Sequence, residues 1–317
     1  MSTAGQTAIV SAAVCTDADT GSYFELAARA GSACLERAGV SPNQVGLVIN
    51  AGVFRDSNIS EPAVAALIQK RLGIGLEYST GRIPAFSFDL MNGATGCVHA
   101  LMVAQTFLGP GEFEYALVVA GDTHPSTERA VAGFPYSTGG AALLVRYSSD
   151  AGGFGRLHTT EELGPVQPTA WADLDAAGAA GRSALTVRTG HGDPLASAVR
   201  VVRACLAEEG LSPCDFSTGR ALLLAPAPLP GFPEQLARRL GLPATAVSGI
   251  DPAAGDPHTA APIHAYLGAS AAGRLDTARS IVFLAADDSS AACLAYWRQS
   301  ADLVGVGADM HTKHVDV

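Results

Sequence analysis

An aspartate and a histidine separated by one proline form the part of this sequence best suited to acid–base chemistry. Asp256, Pro257 and His258 follow Gly255 and precede an alanine-rich stretch. A carboxylate beside an imidazole can act as a general-base pair, in which the aspartate fixes the tautomer of the ring. The same side chains could instead cap a helix that begins near Thr259, because aspartate often has that role. The sequence leaves both interpretations open.

A second candidate lies after a strand-like run that ends in Asp89. The turn Asn92-Gly93-Ala94-Thr95-Gly96 leads from this run into an apolar helical segment. Backbone N–H groups at the start of a helix can hold an oxyanion, and they can activate a nucleophile placed there. Cys97 lies about one turn into the helix, where we expect a packed thiol.

The elements that must position these residues alternate between strand-like apolar runs and Ala-rich helices, as is typical of an α/β protein. The first series comprises a helix at 23–38, a strand at 46–50, a helix at 61–72, a strand ending at 89, a helix at 97–107 and strands at 115–120 and 141–147. The second comprises a strand at 221–225, a helix at 233–240, a strand at 246–251, a helix at 259–272 and strands at 280–285 and 292–298. This recurrence predicts two duplicated β-α-β-α-β-β halves packed face to face.

The predicted organisation has four parts: an N-terminal half at 1–150, a connecting insert or cap at 151–192, a C-terminal half at 193–299 and a tail at 300–317. The insert has little periodicity and contains a low-complexity stretch. We expect the tail to be frayed, so that His311 and His314 are solvated rather than metal ligands.

Composition limits the possible partners and locations. The 317 residues are 48% hydrophobic, and the formal net charge of -10 argues against nucleic acid as a partner. Apolar runs long enough to span a membrane, about 18 residues, are absent from the sequence. The first residues do not resemble an export signal, and the six cysteines form no C-x-x-C pair or zinc motif. We therefore expect a cytoplasmic protein that binds no metal and no membrane.

Two long segments carry a resemblance to a known family. The stretch AFSFDLMNGATGCVHALMVAQTFLGPGEFEYALVVAGD, preceded by LERAGVSPNQVGLVINAG, resembles the nucleophile segment of β-ketoacyl-acyl-carrier-protein synthase III. Farther on, GDPHTAAPIHAYLGASAAGRL is similar to the Gly-Asn-Thr-Ser segment of that family. The likeness covers roughly residues 20–147 and 195–298. It implies an α/β, thiolase-like fold with a layered α-β-α-β-α core. The implied substrate is an acyl thioester, with coenzyme A or phosphopantetheine as part of the substrate and no separate cofactor.

The chain departs from this family at the positions that perform its chemistry. Ala94 stands at the position of the nucleophilic cysteine, and a methyl group cannot form a thioester. A shift of one residue would place the Thr95 hydroxyl there instead. The family's histidine is replaced within Ala225-Pro226-Ala227-Pro228, and its asparagine is matched by Asp256.

Three further residues are candidates for substrate binding. Asn92 lies in the turn at the nucleophile position, and His124 follows the strand at 115–120, near the expected mouth of the site or a dimer face. Ser289 belongs to Asp287-Asp288-Ser289-Ser290, which matches the family's glycine-rich oxyanion loop. Carboxylates in that loop oppose the stabilisation of a negative charge.

These observations favour an acyltransferase of specialised metabolite biosynthesis. It would transfer an acyl group directly from coenzyme A or an acyl carrier protein to a small-molecule acceptor, with His258 or Asp256 as base. The alternatives are a non-catalytic partner subunit of a condensing-enzyme heterodimer and a variant in which Ala94 replaces a native cysteine. The resemblance also implies a homodimer, or a heterodimer with a homologue, formed through the strand at 115–120.

Overall fold

The first half of the chain forms a five-stranded mixed sheet. In this computed structural model, residues 6–76, 84–110, 113–150, 152–161, 170–173, 175, 184–189 and 192–298 are described. The strands are β1 (Thr7–Cys15), β2 (Val45–Asn50), β3 (Phe86–Asp89), β4 (Tyr115–Asp122) and β5 (Gly139–Tyr147), and the helices are α1 (Tyr23–Ala38), α2 (Val64–Leu72) and α3 (Gly96–Phe107). The sheet order is β1-β5-β4-β2-β3, with β2 parallel to both β3 and β4.

The second half forms another five-stranded sheet and carries a small two-stranded ribbon. Its strands are β6 (Gly153–Glu161), β7 (Ala170–Trp171), β8 (Thr186–Val187), β9 (Ala221–Leu224), β10 (Val247–Ser248), β11 (Ser280–Ala286) and β12 (Ser290–Trp297). Its helices are α4 (Pro194–Glu209), α5 (Pro213–Ser217), α6 (Phe232–Leu240) and α7 (Ala261–Ala271). The large sheet has the order β10-β9-β11-β12-β6, and β7 pairs with β8.

The two large sheets have the same internal order. Starting from the first strand of each half, one sheet runs β1-β5-β4-β2-β3 and the other runs β6-β12-β11-β9-β10. Each half also begins with a strand and a helix before the predicted β-α-β-α-β-β unit, so the repeated unit is longer than predicted. The strand at 153–161 lies inside the segment assigned to a connecting insert, yet it pairs with β12. Strand β6 therefore belongs to the sheet of the second half.

The core consists of three helical layers separated by the two sheets. Side chains alternate along β4, so that Ala116, Val118 and Ala120 belong to the central core while Leu117 and Val119 pack with α1 and α2 on the outer face. Helices α3 and α7 contact both sheets and fill the central layer. Helices α4 and α6 cover the outer face of the second sheet. The predicted α-β-α-β-α arrangement is therefore confirmed.

Two further sequence predictions can be compared with this architecture. Strand β4 pairs with β2 on one side and β5 on the other, so the strand at 115–120 is central, and the expectation that it forms a dimer edge is wrong. In the described part of the chain, none of the helices is both long and apolar enough to span a membrane. The predicted tail at 300–317, with His311 and His314, lies outside the described residues.

Candidate active site

A buried carboxylate at the end of β4 connects the two halves of the molecule. Asp122 is fully buried, and its Oδ1 accepts hydrogen bonds from the backbone N–H groups of Val53 (3.1 Å) and Phe54 (2.8 Å). Its Oδ2 accepts from the backbone N–H (3.1 Å) and hydroxyl (2.7 Å) of Thr259 and lies 3.0 Å from Nδ1 of His258. Five donors around one carboxylate fix the loop after β2 and the turn before α7 relative to each other.

His258 is held in one orientation by this carboxylate and by an aromatic stack. The histidine is 5% exposed, and its backbone has a φ of 46°, in the left-handed region. Its ring stacks on Tyr136 at a centroid distance of 3.9 Å and lies 5.7 Å from the ring of Phe54. Donation from Nδ1 to Asp122 leaves the lone pair on Nε2, which has no hydrogen-bond partner among the described residues. This arrangement suits a general base.

The protonation of His258 depends on opposing effects. Burial lowers the pKa of the imidazole, but the charge and hydrogen bond of Asp122, together with the charges of Asp256 and Asp287, outweigh it and raise that pKa above 6.5. Burial also raises the pKa of the Asp256 carboxyl above its ordinary value.

Asp256 contacts the backbone of His258 and not its imidazole ring. Its Oδ1 accepts the backbone N–H of His258 at 2.8 Å, and its backbone carbonyl accepts the N–H of Ser137. The carboxylate that holds the imidazole is Asp122, so the predicted Asp256–His258 side-chain pair is not formed. Asp256 instead stabilises the turn His258–Ala260 that precedes α7, which agrees in part with the capping interpretation.

Ala94 lies in the turn between β3 and α3, and its amide is already engaged. Gly93 has a φ of 53°, and the N–H of Ala94 points to Oδ2 of Asp287 at 3.3 Å. Oδ1 of Asp287 accepts from the backbone and hydroxyl groups of both Ser289 and Ser290. The Asp287 carboxylate therefore lies where a substrate oxyanion would have to sit to accept the Ala94 N–H. Its negative charge opposes the use of this amide in an oxyanion hole.

One cavity of about 250 Å³ brings four of the predicted site residues together. Ala94, Asp256, His258 and Ser289 all border it, and Asp287 completes the wall between the two loops. Ala94 and Asp256, which are far apart in the sequence, thus border the same cavity. The strands that end before these loops belong to different sheets, so the cavity forms where the two halves meet.

The other predicted residues lie outside the cavity wall. Thr95 is 1% exposed, and its hydroxyl donates to the carbonyl of Asn92 at 2.8 Å. The Asn92 side chain approaches Nε2 of His99 at 3.5 Å. His124 interacts through Nδ1 with the hydroxyl of Ser126 at 2.7 Å. These contacts give the three side chains structural partners away from His258.

Several residues important to the site were missed by the sequence argument. Asp122 was not predicted to take part, although it follows a buried strand, where sites in α/β folds tend to form. The carboxylates of the loop that contains Asp287 were expected to oppose an oxyanion, but the contact of Asp287 with the Ala94 N–H was not predicted. Tyr136 lies in an irregular segment that gave no signal. Cys97 is fully buried, and burial raises its pKa to about 12, so the predicted packed thiol is confirmed. The described residues contain no cluster of three metal-ligating side chains.

Comparison with known proteins identifies both the fold and related sequences. No family model matches the chain. A β-ketoacyl-acyl-carrier-protein synthase III from Aliarcobacter butzleri is 31% identical over 130 residues, which cover 40% of this chain and 36% of that protein. A synthase III from Paramagnetospirillum magneticum is 32% identical over 132 residues. The chain thus matches little more than a third of the length of these relatives in sequence.

Similarity to solved structures extends over almost the whole chain. The 3-oxoacyl-acyl-carrier-protein synthase III of Aquifex aeolicus matches with a TM-score of 0.68 and 18% identity, covering 92% of this chain and 100% of that one. The tetronic acid condensing enzyme AbyA1 gives 0.67 and 21%, covering 92% and 99%. A variant of Xanthomonas campestris OleA gives 0.72 and 15%, covering 94% and 100%. These matches show that the chain has the fold of the thiolase-like condensing enzymes, and about 40% of its sequence is similar to β-ketoacyl-acyl-carrier-protein synthase III.

Proposed function

We propose that the protein is an acyltransferase that moves an acyl group from a thioester of coenzyme A or an acyl carrier protein directly to a small-molecule acceptor. The observation that carries this proposal is the position of His258, whose Nδ1 is held by buried Asp122 while its ring borders the cavity. We expect the reaction to belong to specialised metabolite biosynthesis in the cytoplasm. We also expect it to need no cofactor beyond the pantetheine arm of the substrate.

The proposed mechanism uses His258 as the base in a ternary complex. The acceptor transfers its proton to Nε2 of His258 while its nucleophilic atom bonds to the acyl carbon. The carbon–sulfur bond then breaks, and the leaving thiolate takes the proton back from the imidazolium. Asp122 holds the tautomer and stabilises the positive charge that the ring carries between these steps.

A covalent acyl-enzyme has little support in this cavity. Ala94 supplies only a methyl group, and Cys97 is fully buried with a raised pKa. The Thr95 hydroxyl is buried and donates to a carbonyl instead of meeting a base. Direct transfer therefore agrees better with the described side chains than a two-step reaction through an enzyme ester or thioester.

The test is acyl transfer by the purified chain with a panel of acyl-CoA and acyl-carrier-protein donors and acceptors. We expect turnover in the wild type, a loss of about 10²–10⁴-fold in His258→Gln, and little change in His99→Gln. His99 is the matched control because its ring lies on α3 away from the cavity wall. Equal activity of the two variants would overturn the role of His258. A mass increase of the intact protein by one acyl group would overturn direct transfer.

A second candidate is a non-catalytic partner subunit of a heterodimeric condensing enzyme. The observation in its favour is Asp287, whose carboxylate accepts the Ala94 N–H and opposes an oxyanion there. This candidate predicts no turnover by the chain alone with any donor and co-purification with a cysteine-bearing homologue. Restored thiol acylation in Ala94→Cys would instead favour the view that alanine replaces a native cysteine.

A further inference from the structure

We propose that the acceptor bound in the cavity is a small primary amine, held as its ammonium ion by Asp256, Asp287 and Asp288 and acylated on nitrogen. This inference rests on the proposed acyl transfer, because it names the acceptor class for that reaction. The three carboxylates border the same cavity of about 250 Å³. Binding of the ammonium can nevertheless be measured without an acyl donor.

The charge around the cavity is unbalanced. Besides His258, the described wall contributes one cationic side chain, that of Arg188, which is positioned over the Trp171 ring at 4.8 Å from the centroid. Asp122 adds a fourth carboxylate directly behind the imidazole. Like charges in a partly desolvated site repel one another, and a bound cation relieves that repulsion.

The ring of His258 provides an independent indication of a bound donor. His258 is 5% exposed, and its ring borders the cavity. Its Nε2 has no hydrogen-bond partner among the described residues. The buried side-chain atoms that lack a partner do not include Nε2 of His258, so this nitrogen is open to the cavity, where a ligand N–H or O–H can donate to it. A ligand donor is therefore expected at this nitrogen.

The number of donors distinguishes an amine from an alcohol. Asp256 uses Oδ1 for the His258 N–H, and no described group donates to its Oδ2. An ammonium has three N–H donors, so it can satisfy Nε2 of His258 and bind Asp256 and a second carboxylate at once. An alcohol has one donor and can satisfy only one of them.

The raised pKa of Tyr136, which borders the cavity, agrees with a negative electrostatic potential there. Burial raises the pKa of the Tyr136 hydroxyl, and the charges of Asp122, Asp256, Asp287 and Asp288 raise it further. The ring of Tyr136 borders the cavity beside Phe54, and the two rings stack at 5.4 Å. Aromatic groups at this wall are compatible with an ammonium and its apolar chain.

The reaction balances with two bases. The bound ammonium first loses one proton to solvent through Asp256, which gives the neutral amine. The amine nitrogen bonds to the thioester carbon as a second N–H proton passes to Nε2 of His258. The carbon–sulfur bond breaks, and the thiolate takes that proton. The products are an amide and a free thiol, with one proton released to solvent.

The first measurement is calorimetric binding of n-butylammonium to the free protein near pH 7, with 1-butanol as the uncharged match. We expect butylammonium to bind at least about tenfold more tightly than butanol, and this preference to shrink as salt is raised. Asp288→Asn is expected to weaken butylammonium binding severalfold, whereas Asp276→Asn, at an exposed position outside the cavity, leaves it unchanged. Asp256→Asn provides a second cavity variant in case Asp288→Asn fails to fold.

The outcomes separate this inference from the acyltransferase proposal. Equal binding of butylammonium and butanol, or binding that neither cavity variant weakens, would overturn the amine site. Acyl transfer to alcohols but not to matched amines would also overturn it, while the acyltransferase proposal would stand. Selective ammonium binding without acyl transfer from any thioester would support the site and count against the proposed reaction.

Discussion

At the scale of residues, the site depends on a histidine and a carboxylate that are distant in the sequence. Asp122 and His258 are separated by 136 positions, and the contact between them is fully buried. The carboxylate sets the tautomer of the ring, and together with Asp256 and Asp287 it raises the pKa that burial alone would lower. A base needs its neutral form, so these charges make the proposed activity sensitive to acid.

The pH dependence of kcat/KM tests this balance. Because the His258 pKa is raised above 6.5 in the folded protein, we expect the rate to fall with decreasing pH through an apparent pKa above that value. In Asp122→Asn, burial still lowers the pKa while the largest opposing charge is gone, so this limb moves to lower pH. The maximal rate is expected to fall by about 10²–10⁴-fold, because the tautomer is no longer fixed.

The control for this profile is Asp276→Asn, in which the exposed carboxylate lies away from the cavity. Its acidic limb is expected to coincide with that of the wild type. An unchanged limb in Asp122→Asn would show that a group other than His258 limits the reaction at low pH.

At the scale of elements, the turn between β3 and α3 is held in one conformation by its contact with Asp287. Gly93 is in the left-handed region, and a Cβ at this position would lie 2.8 Å from Oδ2 of Asp287. Asp287 cannot readily move aside, because both serines of its loop donate to its other oxygen. The turn thus links the first half of the chain to the loop between β11 and β12.

Paired glycine substitutions test this contact. Gly93→Ala and Gly39→Ala each place alanine at a positive φ, which costs about 1–2 kcal/mol. Nothing lies within 4 Å of a Cβ at Gly39, so only Gly93→Ala also displaces Asp287. We expect Gly93→Ala to lower the free energy of unfolding by about 1 kcal/mol more than Gly39→Ala in urea denaturation. Equal losses would contradict the constraint from Asp287.

The elements also show what could be predicted from the sequence. Buried strands such as β4 and β11 were predictable because apolar residues occupy both faces of the sheet. Strand β6 was missed because it is an edge strand with a mixed sequence, GFGRLHTTE. Within the site, Ala94 and His258 could be predicted because each lies in a turn that follows a strand-like run and precedes a helix. The Asp122–His258 pair could not be predicted, because it depends on how the halves dock and on the left-handed backbone at 258.

At the scale of the whole molecule, the outer strand of the first sheet presents an apolar surface, where we expect a second copy of the chain to bind. Strand β3 is the outer strand of that sheet in the described residues. Phe86 on this strand is 49% exposed and Met91 beyond it is 47% exposed. Phe86 also contacts Phe88 and Phe107, which extends the aromatic surface. Edges of this kind favour association.

Oligomeric state provides the test at this scale. We expect the purified chain to be a homodimer by light scattering and Phe86→Glu to shift it towards monomer, because a charge at the edge opposes burial. Leu229→Glu, at another exposed apolar residue away from β3, is the matched control and should remain dimeric. A monomeric wild type would contradict this interface and would direct attention to a heterologous partner.

The carboxylate at the end of β4 makes the two halves of the molecule depend on each other. Asp122 belongs to the first repeat, whereas the histidine and threonine that it holds belong to the second. Neither repeat contains the site by itself, so the effect of a substitution in one half depends on the residues of the other. A change at either end of this contact therefore alters both halves at once, whereas the outer helices take no part in it.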